Sequence, residues 1–324
     1  MKITIISFDN WGFNKHIKDV LEKKDHIVNH IDFNKFVFTY PNFQYKIYNF
    51  ILKKFFKKNL KTIFFGSRII EELQKIGEIQ DVILTIKGDF IDPKSVLQLK
   101  KYCTKSIAFF NDNTIRCPKI IRVIPYFDEV FSFEKADCKK YNLKFATNWI
   151  YNFNSIKDTD FDFQVFNISS KDRRLPVFSR IAKELNSRNI NYKILIYDKK
   201  YNNKNSNIEY INKHLPLSEV NKYINKTQVL LDVQRTGQEG LSFRVLESIG
   251  LHKKLITTNS DIVNYDFYNA NNILVIDEHI PFIPVSFFET NYDELPKEIF
   301  EKYTLIGWLD IILKNENINC IMHV

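Results

Sequence analysis

The chain has 324 residues and a mass of 38.6 kDa, more than one hydrophobic core usually organises, so two domains are expected. Hydrophobic residues make up 44% of it and charged residues 26%, a balance that excludes general disorder. The net charge of +9 favours a negatively charged partner: a nucleic acid, an anionic membrane surface or a phosphate-bearing ligand.

The start of the chain and its cysteines bear on where the protein works. The N-terminal sequence MKITIISFDNWG runs directly into a predicted strand instead of a signal peptide. No apolar run approaches the roughly 20 residues that cross a bilayer, and the cysteines form no C-x-x-C pair. These features predict a cytoplasmic protein that is soluble or peripheral on a membrane.

In the first half of the chain, apolar runs alternate with amphipathic segments. This alternation is typical of a parallel sheet with crossover helices. The predicted strands are 3–8, 26–31, 81–86, 106–110, 128–133 and about 144–148. The predicted helices are 13–23, 43–58, 66–76, 93–102 and 134–141.

The segment 44–61, QYKIYNFILKKFFKKNLK, is rich in lysine and contains no acidic residue. Its apolar residues, such as Phe50 and Phe55, follow a spacing close to that of an amphipathic helix. A basic helix with Phe and Leu on it fits an anionic membrane surface. An ordinary surface helix explains the pattern equally well, and nucleic acid is disfavoured because no RNA- or DNA-binding motif accompanies it.

The second half of the chain repeats the plan of the first. The predicted strands are 163–168, 192–197, 228–232, 254–258 and 273–276. The predicted helices are 174–187, 217–225, 242–250 and 302–314. The polar segment 149–161 separates the halves and predicts domains 1–150 and 151–324. The expected fold is therefore α/β, with two doubly wound Rossmann-like lobes facing a central cleft.

Dehydrogenases, two-lobed sugar-binding proteins and glycosyltransferases share such a plan. A dehydrogenase needs a glycine-rich turn after a strand, but the first strand is followed by FDNWGF, with a single glycine. The second lobe's first strand ends in NISS, without glycine. An exported binding protein would need a signal peptide. A nicotinamide cofactor and an exported binding protein are therefore both disfavoured.

The segment GQEGLSFRVLESIGLHKKLITTN (237–259) carries two glutamates, Glu239 and Glu247, in the spacing E-x7-E. It resembles the element with which GT-B glycosyltransferases grip a nucleotide-sugar, in particular the group 1, CgeB-like branch that builds bacterial lipopolysaccharide and capsule. The strings FFNDNTIRCPKI (109–120) and YFDEVFSFEKADCKKYNLKF (126–145) are similar to segments of the same branch.

The resemblance implies roles for the residues around this element. Glu247 would accept hydrogen bonds from the ribose hydroxyls and Glu239 would contact the donor sugar. Arg244 would neutralise phosphate or pair with Glu247, because it lies three residues earlier on the same helical face. The other implied donor contacts are Gly240, Ser242, Gln234, Gln238 and Arg173. The loop 212–217 would cradle the base. The alternative for a helix glutamate such as Glu247 is a solvated surface position.

A catalytic base is the hardest group to find in the sequence. Polar residues at predicted strand ends or one helical turn beyond are Asp9, His16, Asp89 and Asp112; Asp9, His16, Asp112 and Glu239 are the catalytic candidates. An aspartate after a strand is also an ordinary helix cap. No D-x-D string stands where a metal-dependent nucleotide site would need it, so neither a metal nor a cofactor is expected.

The sequence therefore predicts a metal-independent glycosyltransferase of bacterial surface polysaccharide synthesis, acting at the inner face of the cell membrane. Its expected partners are a nucleotide-sugar donor and a glycan or lipid-linked glycan acceptor, with an anionic membrane surface as a third partner if 44–61 is not an ordinary surface helix. The alternative from another class is a non-catalytic, two-lobed nucleotide- or glycan-binding protein. Nothing in the sequence specifies the donor, the linkage or the anomeric outcome.

Overall fold

The computed structural model describes residues 1–9, 12, 14–153, 160–200 and 207–313. The chain forms two compact units. Unit 1 comprises Met1–Thr147 together with the chain from Ile311 onward, and unit 2 comprises Asn148–Asp310. The predicted domain boundary at residue 150 lies just after this division.

Unit 1 is built on a six-stranded sheet in the order β2-β1-β3-β4-β5-β6, and every neighbouring pair is parallel. Its strands are β1 (Lys2–Ser7), β2 (Ile27–Asp32), β3 (Gln80–Ile86), β4 (Cys103–Phe110), β5 (Glu129–Ser132) and β6 (Lys144–Phe145). The central strands β1 and β3 are nearly continuous buried runs. Such runs are expected of parallel strands that helices cover on both faces.

The helices of unit 1 are α1 (Lys15–Glu22), α2 (Phe43–Phe56), α3 (Leu60–Ile76), α4 (Pro93–Leu99) and α5 (Lys135–Tyr141). The predicted helix 66–76 begins six residues earlier than expected, at Leu60. The break before it has a local cause. Lys57 ends α2 in the left-handed conformation (φ 52°), and the Asn59 side chain accepts a hydrogen bond from the backbone N–H of Lys61 to begin α3.

Unit 2 contains a second six-stranded parallel sheet, in the order β12-β11-β10-β7-β8-β9. Its strands are β7 (Phe163–Ser170), β8 (Tyr192–Tyr197), β9 (Glu209–Ile211), β10 (Thr227–Asp232), β11 (Lys254–Thr257) and β12 (Ile273–Val275). The edge strand β9 was not predicted, because three residues are too short for a periodic pattern to emerge.

The remaining helices are α6 (Leu175–Ser187), α7 (Leu217–Asn225), α8 (Phe243–Gly250), α9 (Lys297–Tyr303) and α10 (Leu305–Leu313). The single helix predicted over 302–314 is thus two helices, because Thr304 between them is extended (φ −68°, ψ 165°). The last residue of that predicted helix, at 314, lies outside the described residues.

Both sheets are doubly wound, as predicted, and each has one point where the strand order reverses. In unit 1 the reversal lies between β1 and β3, and in unit 2 between β7 and β10. Ligands of open α/β sheets bind outside the carboxyl ends of the strands at such points. The loops that follow these four strands are therefore the places to look for a site.

Helix α2 is unusual because its apolar residues face outward. Its buried residues are Asn49 and Leu52, whereas Phe50, Phe55 and Phe56 are 63%, 67% and 63% exposed. Asn49 fastens α2 by accepting from the backbone N–H of Leu60 (2.8 Å). None of the described helices combines the length and the apolar character needed to cross a membrane.

Candidate active site

Arg174 forms hydrogen bonds to both loops at the strand-order reversal of unit 2, the loop after β7 and the loop after β10. Its guanidinium makes a bidentate pair with Asp172 (Nε to Oδ1 2.9 Å, Nη2 to Oδ2 2.8 Å). Nη1 donates to the carbonyl oxygen of Val233 at 2.8 Å. Asp172 and Arg174 follow β7, and Val233 follows β10. The planar fork of Arg174 therefore fixes the spacing between the two loops.

The same loops concentrate positive charge. Arg235 Nε lies 3.5 Å from Asp172 Oδ2, and Arg173 is exposed on the loop after β7. Burial raises the pKa of Asp172, but the hydrogen bonds from Arg174 more than offset it, so the pKa lies below its ordinary value. Asp172 thus stays ionised, with the guanidinium groups of Arg174 and Arg235 beside it and Arg173 exposed on the same loop. We call Arg173, Arg174 and Arg235 the arginine cluster.

The loop 233–242 is held by its own glutamines. Gln234 and Gln238 both donate from Nε2 to the carbonyl oxygen of Gly240, at 3.0 and 3.1 Å. Asn259 Nδ2 donates to the carbonyl oxygen of Glu239 at 3.1 Å, whereas the Glu239 side chain is exposed. The predicted donor contacts Gln234 and Gln238 therefore shape the loop. The left-handed turn of the loop falls at Gly237 (φ 74°).

Asp232, at the end of β10, anchors the beginning of α8. It is buried and accepts from Ser242 Oγ (2.8 Å) and from Thr257 Oγ1 (3.0 Å), which ends β11. Ser242 is the residue that precedes α8, and its hydroxyl bonds Asp232 instead of capping the helix. The N-terminus of α8 is thereby fixed at the carboxyl edge of the sheet, where the loops that carry the arginine cluster also lie.

Glu247 is not a surface residue of α8: it is only 1% exposed. One carboxylate oxygen pairs with Arg244 and the other accepts from the Tyr151 hydroxyl. Burial, and then the negative charge of Glu247, raise the pKa of Tyr151 well above its ordinary value. Tyr151 therefore remains a proton donor to Glu247. Of the two alternatives that the sequence left for Arg244, pairing with Glu247 is the one seen.

Gly250 lets the chain segment that carries Tyr151 reach α8. A Cβ atom at Gly250 would lie 2.3 Å from Ile150 Cγ2 and 2.4 Å from the carbonyl oxygen of Asn152. No side chain fits there without moving this backbone. The glycine thus serves the packing that brings Tyr151 to Glu247.

An aromatic pair lies one strand away from the arginine cluster. The rings of Tyr197, which ends β8, and His214 are stacked at 3.7 Å between centroids and 26° between planes. The backbone N–H of Lys171, after β7, donates to the carbonyl oxygen of Tyr197 at 2.9 Å. The loop 212–217, expected to cradle a base, therefore contributes an exposed ring next to the cationic loop.

In unit 1 the loops after β1 and β3 also meet, with Phe8 and Phe90 stacked at 4.7 Å. The carboxylate of Asp9 accepts from the backbone N–H of Gly12 (2.7 Å) and Asn14 (3.0 Å). These bonds hold the loop before α1, and the helix begins after Asn14 without a side-chain cap, so Asp9 is not the helix cap that the sequence left open. His16 is exposed on α1, with Nδ1 3.9 Å from Asp19 Oδ2.

Asp89, after β3, and Asp112, after β4, are held differently. Asp112 pairs with Arg116 (2.6 Å) and Lys87 (3.3 Å). Asp89 is 9% exposed, and burial followed by the charge of Asp112 raises its pKa to about 6. A buried carboxyl group whose pKa is raised beside a second carboxylate is typical of acid–base sites. Asp89 is therefore the carboxyl group of unit 1 best suited to accept a proton near neutral pH.

The structure thus collects the predicted donor residues at one edge of unit 2, and Asp9, Asp89 and Asp112 at the corresponding edge of unit 1. Sequence reasoning missed Tyr151, Asp172 and Asp232. Asp172 carries a weak signal, as an acid between Lys171 and Arg173. Tyr151 lies in the segment predicted as a linker and carries none. Among the described residues, no group of His, Cys, Asp and Glu could hold a metal ion.

No protein-family model and no curated protein sequence matches the chain, but solved structures do. The chain is similar to AviGT4, a glycosyltransferase involved in avilamycin A biosynthesis (TM-score 0.57, 9% identity, 97% of this chain and 96% of that one). Anabaena HepE in complex with UDP and glucose gives 0.54 and 8% (98% and 99%). Neisseria meningitidis UDP-GlcNAc 2-epimerase bound to UDP-GlcNAc gives 0.52 and 12% (98% and 99%).

These likenesses extend over nearly the whole length of each chain and establish the fold. The protein has the GT-B fold, with two Rossmann-like units. At such low identity the fold is shared and the activity is a separate question, because one fold hosts several functions.

Proposed function

We propose that this protein is a glycosyltransferase that moves a sugar from a nucleoside-diphosphate sugar to a hydroxyl of a glycan or glycolipid acceptor in bacterial surface polysaccharide synthesis. The observation that carries the proposal is the arginine cluster at the strand-order reversal of unit 2. A diphosphate requires positive charge on a rigid frame. Arg174 supplies the frame, because Asp172 and Val233 hold it, and Arg173 and Arg235 supply charge.

The rest of a nucleotide-sugar fits the neighbouring groups. The exposed His214 ring, stacked on Tyr197, offers an aromatic surface for the base. Arg244 and Glu247 offer charged partners for the ribose hydroxyls, although Glu247 must share or exchange its bond with Tyr151 to accept one. A uridine nucleotide is the first choice, since two structures of this fold hold UDP or UDP-GlcNAc.

In the proposed reaction, the acceptor oxygen forms a bond with the anomeric carbon of the donor. The nucleoside diphosphate leaves with the electron pair of the broken bond, and the acceptor's proton passes to a base. We assign the base role to Asp89, because its pKa of about 6 makes it ionised yet basic at neutral pH. Phosphate charge that develops on the leaving group is stabilised by the arginine cluster.

The test is a panel of nucleotide-sugars, incubated with the protein and with mixed glycan or lipid-linked acceptors, in which release of nucleoside diphosphate and labelled product are measured together. We expect acceptor-dependent release from a UDP-sugar. Release of UDP from UDP-GlcNAc with epimerised sugar and no acceptor would identify an epimerase instead. Tight nucleotide binding without turnover of any donor would favour the non-catalytic binding protein.

We also propose that α2 attaches the protein reversibly to an anionic membrane surface. Its outward aromatic residues form an apolar surface, and Lys46, Lys53 and Lys54 lie among them. Each lysine near an anionic surface contributes about 1 kcal/mol. Sedimentation with anionic liposomes should therefore fall with added salt and in the variant K46Q/K53Q/K54Q. The charge-matched control K101Q/K139Q/K140Q should sediment like the wild type. Equal sedimentation of both variants would reject this attachment.

A further inference from the structure

A cavity of about 570 Å³ in unit 1 is lined by an unusual number of cations. The cationic lining residues are Lys57, Lys58, Lys94, Lys119 and Arg122. All five are exposed, and within the described part of the chain none of them forms a salt bridge. Nearby, by contrast, Lys87 and Arg116 are paired with Asp112. The cavity therefore holds positive charge that no carboxylate of the described chain neutralises by pairing.

The acidic residues of the cavity do not offset this charge. Asp92 is committed to the start of α4, because it accepts from the backbone N–H groups of Lys94 (3.1 Å) and Ser95 (3.2 Å). Asp89 is buried and its pKa is raised, so at mildly acid pH a large fraction of it is protonated and carries no negative charge. Five cations thus surround a space with two carboxyl groups, which favours an anionic ligand.

The cavity also has an apolar lining. Phe56, Ile63, Leu97, Val123 and Tyr126 contribute to it, and Phe56 and Leu97 are 63% and 50% exposed. A free anion gains nothing from such side chains, whereas an apolar chain next to the anion buries them. Phe56 is also the last residue of α2, so the apolar lining continues into the outward aromatic residues of that helix.

We propose that this cavity binds an amphiphilic acceptor through a phosphate group attached directly to an apolar chain. The phosphate lies among the five cations, and the chain runs along Phe56 and Leu97 toward α2. The inference rests on the proposed function, since it names the acceptor class of the same transferase. Asp89 also lines the cavity, so a sugar hydroxyl carried by such an acceptor would be bound on the side of the base.

The probes are farnesyl phosphate, farnesol and inorganic phosphate, titrated into the full chain below the micelle concentration and followed by calorimetry. Farnesyl phosphate has both the phosphate group and the apolar chain. Farnesol has only the chain, and inorganic phosphate has only the charge. We expect farnesyl phosphate to bind at least tenfold more tightly than either of the others. Raised salt should weaken its binding, because exposed cations are screened.

The variant K119Q/R122Q removes two exposed cavity cations without touching a buried group. We expect it to weaken farnesyl phosphate binding about tenfold or more and to leave farnesol binding unchanged. The charge-matched control K101Q/K139Q changes exposed lysines of unit 1 that do not line the cavity, and it should stay within about twofold of the wild type. A second variant, Leu97→Ser, should lower the advantage of farnesyl phosphate over inorganic phosphate.

The inference would be overturned if the chain bound farnesyl phosphate and inorganic phosphate with equal affinity. It would also be overturned if K119Q/R122Q and the control lost farnesyl phosphate affinity equally. UDP binding, measured on the same preparations, separates this outcome from failure of the proposed function. Normal UDP binding and donor turnover without farnesyl phosphate binding would reject the amphiphilic acceptor alone. Farnesyl phosphate binding without any donor turnover would reject the transferase and keep the lipid phosphate site.

Discussion

Both units carry a six-stranded parallel sheet, but Asp89 and the cavity cations of unit 1 differ in their partners from two carboxylates of unit 2. In unit 2, Asp172 and Glu247 are each paired with an arginine. In unit 1, Asp89 is buried with a raised pKa, and the cavity cations beside it have no salt-bridge partner among the described residues. The two carboxylates of unit 2 thus have fixed arginine partners. Unit 1 keeps a carboxyl group, Asp89, that can change its charge, and cavity cations that can bind a ligand.

Under the proposed function, this difference would let one architecture serve two tasks. A donor diphosphate has a constant charge, so a fixed guanidinium frame suits it. An acceptor hydroxyl must lose a proton, so its partner needs a pKa near the working pH. The strands are similar in both units, and the loops after them differ in how they hold charged groups. The following experiments test this contrast between the two units.

The largest effect is expected at Asp89. The variant Asp89→Asn removes the proposed base and should lower kcat by about 10²–10⁴-fold, the usual contribution of a general base, with little change in donor affinity. Steady-state kinetics and UDP titration check this. Asp112→Asn serves as the matched control in unit 1 and should cost much less. Wild-type turnover by Asp89→Asn would remove Asp89 from the chemistry.

In unit 2 the expected effect is on stability. The variant Arg244→Met leaves Glu247 buried without its cation, which should lower the free energy of unfolding by about 3–5 kcal/mol. Urea unfolding can be followed through Trp149, whose ring lies 5.4 Å from that of Phe243 in α8. The double variant R244M/E247M, which removes both charges, should recover much of the loss. A single variant as stable as the wild type would mean that the pair is not buried in solution.

The arginine cluster should contribute to donor affinity without supporting the fold. We expect R173Q/R235Q to weaken UDP binding by about 1.5–3 kcal/mol, the range for a hydrogen bond to a charged group. Calorimetric titration with UDP measures this. The control K183Q/K222Q carries the same charge change on exposed lysines of α6 and α7 and should bind UDP normally. Similar losses in both variants would indicate only a general effect of net charge.

The pH dependence of the free energy of unfolding tests the raised pKa of Asp89. Its folded-state pKa of about 6 lies above the ordinary 3.8, so the folded chain holds a proton that the unfolded chain has lost between these values. The contribution of Asp89 to stability therefore falls as pH rises from about 4 to about 6.

The variant Asp89→Asn has no carboxyl group at this position, so it should not lose stability through this group as pH rises. At pH 7 we expect it to raise the free energy of unfolding by about 1–2 kcal/mol, with the difference disappearing below about pH 4. Unfolding curves of both proteins across this pH range test it. A variant that is less stable than the wild type at pH 7 would show that the Asp89 carboxylate is not destabilised by burial.

The smallest expected effect is that of a chelator. Because the arginine cluster supplies positive charge to the diphosphate, turnover should be unchanged in EDTA. Donor release is measured with and without EDTA, and with added magnesium or manganese. Loss of activity in EDTA that either metal restores would assign part of the phosphate charge compensation to a metal ion.

Much of the fold could be predicted from the sequence, because the periodicity of buried side chains is a local property. The strand runs 81–86 and 192–197 match β3 and β8 closely. The three-residue spacing of Arg244 and Glu247 likewise predicted that these two side chains could pair on one helix, as they do. Helix ends were less well placed. The break at Lys57 depends on a left-handed residue, and the break at Thr304 on one extended residue.

Which charged groups are paired and which are available for a ligand depends on tertiary packing. The two parallel α/β units, the basic aromatic segment and the polar residues of the loop after β10 could be found from spacing along the chain. Tyr151 and Glu247 are 96 residues apart, and Arg174 and Val233 are 59 apart, so no local pattern joins them. The raised pKa of Asp89 and the orientation of α2 likewise depend on burial, and burial is a property of packing rather than of sequence position.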